Sequence, residues 1–236
     1  MKIILSIGGV ILLLIVGFVM WSPTPLPAPA DINSEIEADK LIQEEVPSDI
    51  VLASGTYIVD VEASTVQWAG KKPLIEGYVN SGSIAIQNGV VTVGNAEHTA
   101  ELTIDMQTLS VTGTPAKPGR ESALQEHLQG ERWFNVAQYP TATFRISKIT
   151  SRVDSDVTSI YDVVGELTLK GQTGPLTFPA KIYTNTDGTL HAEASLEFNR
   201  TQWGITSGSG SFFDNLANNV IDDMVALSFN LTAKRQ

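Results

Sequence analysis

The chain contains no cysteine, few histidines and few basic residues. Because Cys is absent from all 236 residues, a disulfide framework, a thiolate metal site and a cysteine nucleophile are excluded. A membrane attachment through a lipid-modified cysteine is excluded for the same reason. Only 15 Lys and Arg residues stand against 26 Asp and Glu, a net charge of −11. This charge would repel a phosphate backbone, so we predict no nucleic-acid partner.

Motifs for catalysis or metal binding are also missing. The three histidines, His98, His127 and His191, are far apart and form no His-x-His or His-Glu-x-x-His motif. No Gly-x-Ser-x-Gly elbow exists, and the adjacent Asp222 and Asp223 would point to opposite faces of a strand. Residues 207–211, Ser-Gly-Ser-Gly-Ser, lack the following Lys-Ser/Thr of a phosphate loop and read as a turn. We therefore predict no metal, no catalytic residue and no cofactor.

One long apolar run occupies the amino terminus. Residues 3–21 carry no charge and approach the roughly 20 residues that cross a membrane, so residues 1–21 are predicted to form a transmembrane helix. Ala28-Pro29-Ala30 offers a small-residue cleavage site, so a removed signal stays the alternative. Since Lys2 precedes the run, the amino end should face the cytoplasm. The domain would then lie in the periplasm or at the cell surface, or be secreted to the periplasm after cleavage.

Residues 22–53 differ in composition from everything that follows. The segment begins Ser-Pro-Thr-Pro-Leu-Pro-Ala-Pro-Ala and continues with a mainly acidic stretch. Such a sequence is typical of an extended, solvated linker. The folded domain is therefore predicted over residues 54–236.

Apolar residues alternate with polar ones throughout residues 54–236, as in Val66/Trp68 and Leu167/Leu169. Eight or more such segments predict an antiparallel barrel or a sandwich, and periodicity alone does not choose between them. Asn88-Gly89 and Asp187-Gly188 are predicted to be hairpin turns.

A short helix interrupts the strands within residues 122–146. Ser122 is predicted to cap it, Leu124 and Leu128 share one face, and Gly130 is predicted to end it. An aromatic cluster follows at once, containing Trp133 and Phe134. Since a helix of two turns is marginal in water, this one should pack on the open end of a barrel.

These residues resemble the signature of the YceI-like family, His-Leu, two aromatics, then Tyr-Pro-x-Ala-x-Phe. The matching residues are His127, Leu128, Trp133, Phe134, Tyr139, Pro140, Ala142 and Phe144. Residues 55–72, 165–180 and 199–229 match three further family blocks, although residues 68–72, Trp-Ala-Gly-Lys-Lys, depart from the pattern of many relatives. The resemblance implies an all-β, lipocalin-like, eight-stranded antiparallel barrel with a short helix at the mouth. It also implies that the barrel holds a long apolar lipid, such as a polyisoprenoid, an isoprenoid quinone or a fatty amide.

Strand parity and this resemblance together predict the residues that line a lipid tunnel. They are Trp68, Ile84, Ile86, Leu102, Ile104, Leu128, Trp133, Phe134, Phe144, Leu167, Leu169, Phe178, Phe198, Trp203 and Phe229. The residues placed near the mouth are Trp133, Phe134, Tyr139 and Trp203, and the small residues of 207–211 would leave space there for the chain to enter. Arg200 is predicted to pair with a carboxylate or an aromatic ring, and contact with a polar ligand head is its alternative.

Other classes of function stay open from the sequence. The barrel could be packed solid by its own aromatic residues and serve as a structural or stress-related surface protein without a ligand. An enzyme acting on an apolar substrate is a third hypothesis, although no catalytic machinery is visible. An elongated apolar cavity would distinguish a lipid-binding barrel from a solidly packed one. A homodimer is an open partner alongside the lipid and the membrane.

Overall fold

The computed structural model describes residues 52–94, 97–152 and 159–236. The predicted anchor of residues 1–21 and nearly all of the predicted linker lie outside these ranges. Within them, no helix has the length and apolar character needed to cross a membrane.

Nine strands, one α-helix and two short 3-10 turns make up the described domain. The strands are β1 Gly55–Val59, β2 Thr65–Lys71, β3 Val79–Val93, β4 His98–Gly113, β5 Thr141–Ser151, β6 Ile160–Leu169, β7 Gln172–Thr184, β8 Leu190–Asn199 and β9 Met224–Arg235. The helix α1 spans Glu121–Gln129, and the 3-10 turns span Arg200–Trp203 and Ala217–Asn219.

All strands pair antiparallel in one closed sheet. Strands β1 and β2 both lie between β3 and β9, so they form one strand interrupted at residues 60–64. The order then runs from this strand through β9, β8, β7, β6, β5 and β4, and the pairing of β3 with β4 closes the ring. The domain is thus an eight-stranded antiparallel barrel, which confirms the predicted barrel and excludes the sandwich.

One of the two predicted hairpin turns is confirmed and the other is wrong. Asp187-Gly188 lies between β7 and β8, with Gly188 at φ 83° and the Asp187 carboxylate accepting from the Thr189 N–H at 2.9 Å. Asn88-Gly89 instead lies inside β3, where the pairing with β4 shifts register between Ile86 and Asn88. A Cβ on Gly89 would lie 2.5 Å from the Leu102 side chain, so this glycine is explained by close packing rather than by a turn.

The tight turn between β6 and β7 falls on Lys170-Gly171. Both residues have positive φ, 50° and 74°, which is the geometry of a two-residue type I′ hairpin. It lies within residues 165–180, one of the blocks that resemble the family.

The helix was predicted correctly in place but not in its first residue. It begins at Glu121 after Arg120, which makes no side-chain capping bond, so Ser122 lies inside the first turn and is not the cap. Thr114 from the preceding loop donates its hydroxyl hydrogen to the Glu121 carboxylate instead. Gly130 ends the helix as predicted, and its N–H donates to the carbonyls of Glu126 and His127.

Candidate functional site

A cavity of about 300 Å³ opens at the end of the barrel where α1 lies. At this end β4 leads into α1, β8 ends and β9 begins. Its lining is almost entirely apolar and comes from the strands, from α1 and from the segment after α1. The apolar lining residues are Val66, Trp68, Ile84, Ile104, Met106, Leu109, Leu124, Leu128, Trp133, Phe134, Ala142, Leu167, Leu169, Phe198, Ile221, Val225 and Leu227.

Helix α1 forms one wall of this cavity. Leu124 and Leu128 both line it, and Leu128 is only 7% exposed. The pairing of β4 with β5 ends at Asp105, which leaves the upper part of β4 without a strand partner on that side. Two glutamines of α1 supply hydrogen bonds there: Gln125 Oε1 accepts from the Val111 N–H at 3.2 Å, and Gln129 Nε2 donates to the Leu109 carbonyl at 3.1 Å. The helix therefore supplies hydrogen bonds to an otherwise unpaired strand edge and also forms a wall of the cavity.

Trp133 and Phe134 follow the helix in a tight turn. The N–H of Phe134 donates to the Leu128 carbonyl at 3.1 Å, and that of Trp133 to the Gly130 carbonyl at 3.0 Å. The Trp133 side chain is 6% exposed, borders the cavity and lies 5.8 Å from the His127 ring. Its indole Nε1 is buried and has no hydrogen-bond partner among the described residues. A buried donor without an acceptor is costly, so this atom marks a place where a bound acceptor would be stabilised.

Arg200 is buried beneath the loop of residues 205–223. Its side chain is 2% exposed, yet it borders the cavity. All five guanidinium hydrogens have acceptors: the carbonyls of Ile205, Ser207, Ile221 and Asp222, at 2.6 to 3.2 Å, and the Asp223 carboxylate at 3.3 Å. Burial lowers the pKa of Arg200, and the neighbouring Asp223 and Asp222 oppose that shift. Since no donor is left over, the structure supports the pairing role of Arg200 rather than contact with a ligand head.

The loop of residues 205–223 forms part of the cavity rim. Its small residues 207–211 turn as predicted, with the Ser209 N–H donating to the Thr206 carbonyl at 3.0 Å and the buried Arg200 holding the Ser207 carbonyl. The next two residues, Phe212 and Phe213, are 57% and 49% exposed. Leu74, in the loop between β2 and β3, is likewise exposed. Lys72 links these two loops, because its Nζ donates to Asn219 Oδ1 at 3.2 Å.

The polar residues around the cavity form pairs rather than a reactive cluster. Lys71 contacts Asp222 at 3.3 Å, and the Lys72 ammonium lies 5.0 Å from the Tyr78 ring centroid. In the described ranges, no group of three His, Asp or Glu side chains is arranged to hold a metal ion. The cavity can therefore bind an apolar molecule through the hydrophobic effect, with polar groups only at its edge.

The predicted lining residues are divided between two cavities, whereas one tunnel was expected. Those at the larger cavity are Trp68, Ile84, Ile104, Leu128, Trp133, Phe134, Leu167, Leu169 and Phe198. Leu102, Phe178 and Phe229 border a second cavity of about 50 Å³ among residues of the opposite half of the barrel. Ile86, Phe144 and Trp203 border neither cavity, although all three are buried.

Trp203 was predicted to line the tunnel near the mouth, but it does not border the cavity. It is fully buried, its ring lies 5.3 Å from that of Phe198, and its Nε1 donates to the Leu167 carbonyl at 2.8 Å. The aromatic character was visible in the sequence, but the direction of a side chain that follows a strand end was not.

Several lining residues were not among those predicted. Val66, Val225 and Leu227 share the parity of Trp68 and Phe229 on their strands, so the alternation could have identified them. Leu109 could not have been found this way. The pairing of β3 with β4 shifts between Ser83 and Ala85, and the inward parity of β4 changes after Met106.

Comparison with known proteins agrees with this geometry. The family model described as the YceI-like domain matches residues 57–233. A UPF0312 protein of Yersinia pestis (strain Pestoides F) is 39% identical over 57 residues. That match covers 24% of this chain and 27% of the relative, so the chain spans about a quarter of the length of the curated relative it matches.

Two solved structures share the fold. BcnA of Burkholderia cenocepacia superimposes with a TM-score of 0.55 at 24% identity, over 75% of this chain and 99% of that one. A polyisoprenoid-binding domain from Saccharophagus degradans, implicated in plant cell wall breakdown, gives a TM-score of 0.55 at 18% identity, over 78% of this chain and 100% of that one. At these identities the likeness concerns the fold alone. The family model, which matches most of the described barrel, shows that the chain belongs to the YceI-like family.

Proposed function

We propose that this chain binds and carries a long apolar lipid in the cavity beneath α1, and that it is not an enzyme. The observation that carries the proposal is the cavity of about 300 Å³ with its apolar wall. Each buried methylene contributes roughly 0.8 kcal/mol, so an isoprenoid segment could be held there without any ion pair. The neighbour described as a polyisoprenoid-binding domain supports a polyisoprenoid or an isoprenoid quinone as the ligand class.

The polar end of the ligand would lie next to Trp133. The indole Nε1 of this residue is a buried donor without a partner among the described residues. A carbonyl or hydroxyl oxygen at the head of the lipid would satisfy it. Arg200 does not compete for this role because its five donors are already bonded within the protein.

The domain would work at a membrane outside the cytoplasm. The apolar residues 3–21 and the single preceding Lys2 support an anchor with the domain in the periplasm or at the cell surface. The exposed Phe212 and Phe213 lie in the loop of residues 205–223, which contributes Ile221 and Asp222 to the cavity, and they would contact the lipid surface from which the ligand is taken.

The test is lipid analysis of the full-length chain purified from its host in mild detergent. A cavity-filling variant, Ala142→Phe, is the matched control, because Ala142 is buried in the cavity wall. A prenyl lipid in the organic extract of the wild type and not of Ala142→Phe supports the proposal. Added polyprenol or quinone should also raise the melting temperature of the wild type, and this rise should persist at high salt because no ion pair is needed.

The second candidate is a solidly packed structural barrel without a ligand. It is favoured by the opposite half of the barrel, whose cavity is only about 50 Å³. Equal lipid in both extracts, together with unchanged melting temperatures, would indicate membrane carry-over and leave this candidate in place.

A further inference from the structure

Three phenylalanines lie at the junction of the two cavities. Phe144 on β5 and Phe178 on β7 have ring centroids 5.7 Å apart, and Phe178 and Phe229 on β9 are also 5.7 Å apart. None of the three borders the larger cavity, whereas Phe178 and Phe229 border the smaller one. We call this row of rings the aromatic partition. It crosses the barrel interior from β5 to β9.

The chain makes room for the partition at Gly165 on β6, the strand between β5 and β7. A Cβ built on Gly165 would lie 2.4 Å from the Arg145 carbonyl oxygen and 2.9 Å from Cζ of Phe144, and real Cβ atoms show neither contact. The Phe144 ring therefore occupies the space that a β6 side chain would fill, and it meets Phe178 across that strand. Edge-to-face and tilted ring pairs of this kind add stability beyond burial alone, so the partition is a packed layer and not a loose contact.

The partition makes the larger cavity a dead end. Its volume of about 300 Å³ is at the lower end of the roughly 300–1,000 Å³ typical of ligand sites. Isoprene units that do not fit above the partition reach, among the described residues of the barrel interior, only the cavity beyond it, which measures about 50 Å³. A chain that is too long must leave its surplus in water or displace the rings.

We propose that the aromatic partition sets the upper length of the lipid chain that this protein holds, with Phe178 as the central specificity-determining residue. The inference rests on the proposed lipid-binding function. Phe178 is central because it contacts both other rings and is almost fully buried. Replacing it with Leu keeps an apolar side chain but removes the ring that joins the row, so the two cavities should merge.

The experiment measures affinity for a prenol series of increasing length, geraniol, farnesol, geranylgeraniol and solanesol, with the full-length chain. Phe178→Leu is compared with Phe198→Leu, which deletes the same ring from the wall of the larger cavity, away from the partition. Affinity of the wild type should rise along the short prenols and then level off before solanesol, because units beyond the dead end gain no burial. Phe178→Leu should move this plateau to a longer prenol, and Phe198→Leu should move it less because it joins no second cavity. Phe229→Leu is the second variant, to be used if Phe178→Leu does not fold.

The outcomes separate the two proposals. If the wild type binds prenols but the length profile is the same in the partition variants, or if Phe198→Leu shifts it equally, the partition does not set the length. If the affinity of the wild type keeps rising from geranylgeraniol to solanesol, the dead end is overturned as well. If no prenol binds to any form, the proposed function itself fails and the inference falls with it.

Discussion

The guanidinium carbon of Arg200 lies 5.3 Å from the ring centroid of Trp133. Arg200 comes from the end of β8, whereas Trp133 follows α1, so the contact joins two segments that are distant in sequence at the rim of the same cavity. The five hydrogen bonds of Arg200 extend this link to the loop of residues 205–223. The rim is thus organised around one buried cation.

Replacing Arg200 with Met should therefore destabilise the protein by about 3 kcal/mol, because four carbonyls and the Asp223 carboxylate lose their donor in a buried place. Arg200→Lys should recover little, since a point charge with three donors cannot match the planar fork. Urea unfolding measures both. The control is Arg145→Met, which removes the exposed pair with Glu101 and should cost under about 1 kcal/mol. Equal losses at the two sites would contradict the organising role of Arg200.

Stability should fall in acid. The pKa of Asp60 is lowered by Lys234, that of Glu101 by Arg145, and that of Glu121 by the Thr114 hydroxyl. A lowered pKa in the folded state means that the contribution is present above the ordinary carboxyl pKa and is lost as the pH falls through the folded value. The free energy of unfolding should thus decline below about pH 4. In Glu121→Gln this decline should be shallower, and an identical pH profile would show that Glu121 contributes nothing to it.

Leu128→Asp should loosen the wall that α1 forms. A carboxylate placed against the cavity would cost about 2–4 kcal/mol, and the ligand off-rate should rise more than global stability falls. Leu231→Asp is the matched control, because Leu231 is equally buried but borders the smaller cavity. Off-rates come from ligand exchange and stabilities from urea unfolding. If both variants change the off-rate equally, α1 behaves as ordinary core.

Trp133→Phe should weaken binding of a prenylquinone by about tenfold, the equivalent of one hydrogen bond, while leaving a prenyl hydrocarbon such as squalene unaffected. The control is Trp68→Phe, since the Trp68 indole lines the same cavity but already donates to the Ser110 carbonyl at 3.2 Å. Titration of each variant with both ligands gives the four affinities. A loss that is the same for the quinone and the hydrocarbon would mean that Trp133 acts only by packing.

The paired change Phe212→Ser and Phe213→Ser should slow uptake of a polyprenol from phospholipid vesicles several-fold and leave the affinity for free ligand unchanged. Both side chains are exposed in the loop of residues 205–223, which also lines the cavity through Ile221 and Asp222, so their contact with the bilayer would shorten the path of the lipid. Ile58→Ser with Val90→Ser is the control pair, because these exposed residues lie on β1 and β3 toward the opposite end. If uptake is unchanged when Phe212 and Phe213 are both replaced, these two residues play no part in lipid transfer.

Alternation along single segments was enough to predict the strands, because each strand buries one face and the side-chain period is two. The local sequence was also enough to predict the helix, because Leu124 and Leu128 share a face and Gly130 ends it. The Asn88-Gly89 turn failed because the same two residues serve equally well in a bulge, and only the approach of Leu102 from the next strand decides between them.

What the sequence determined by itself was therefore the alternating strands, the inward face of those without a register shift, and the helix followed by a cluster of aromatic residues. Tertiary structure alone decided where those aromatic residues met. Phe144, Phe178 and Phe229 form one layer because β5, β7 and β9 bring them together over Gly165. Arg200 has five acceptors because residues 205–223 lie over its guanidinium group. Contacts between distant segments depend on strand register and closure of the barrel, and no local pattern of residues encodes either.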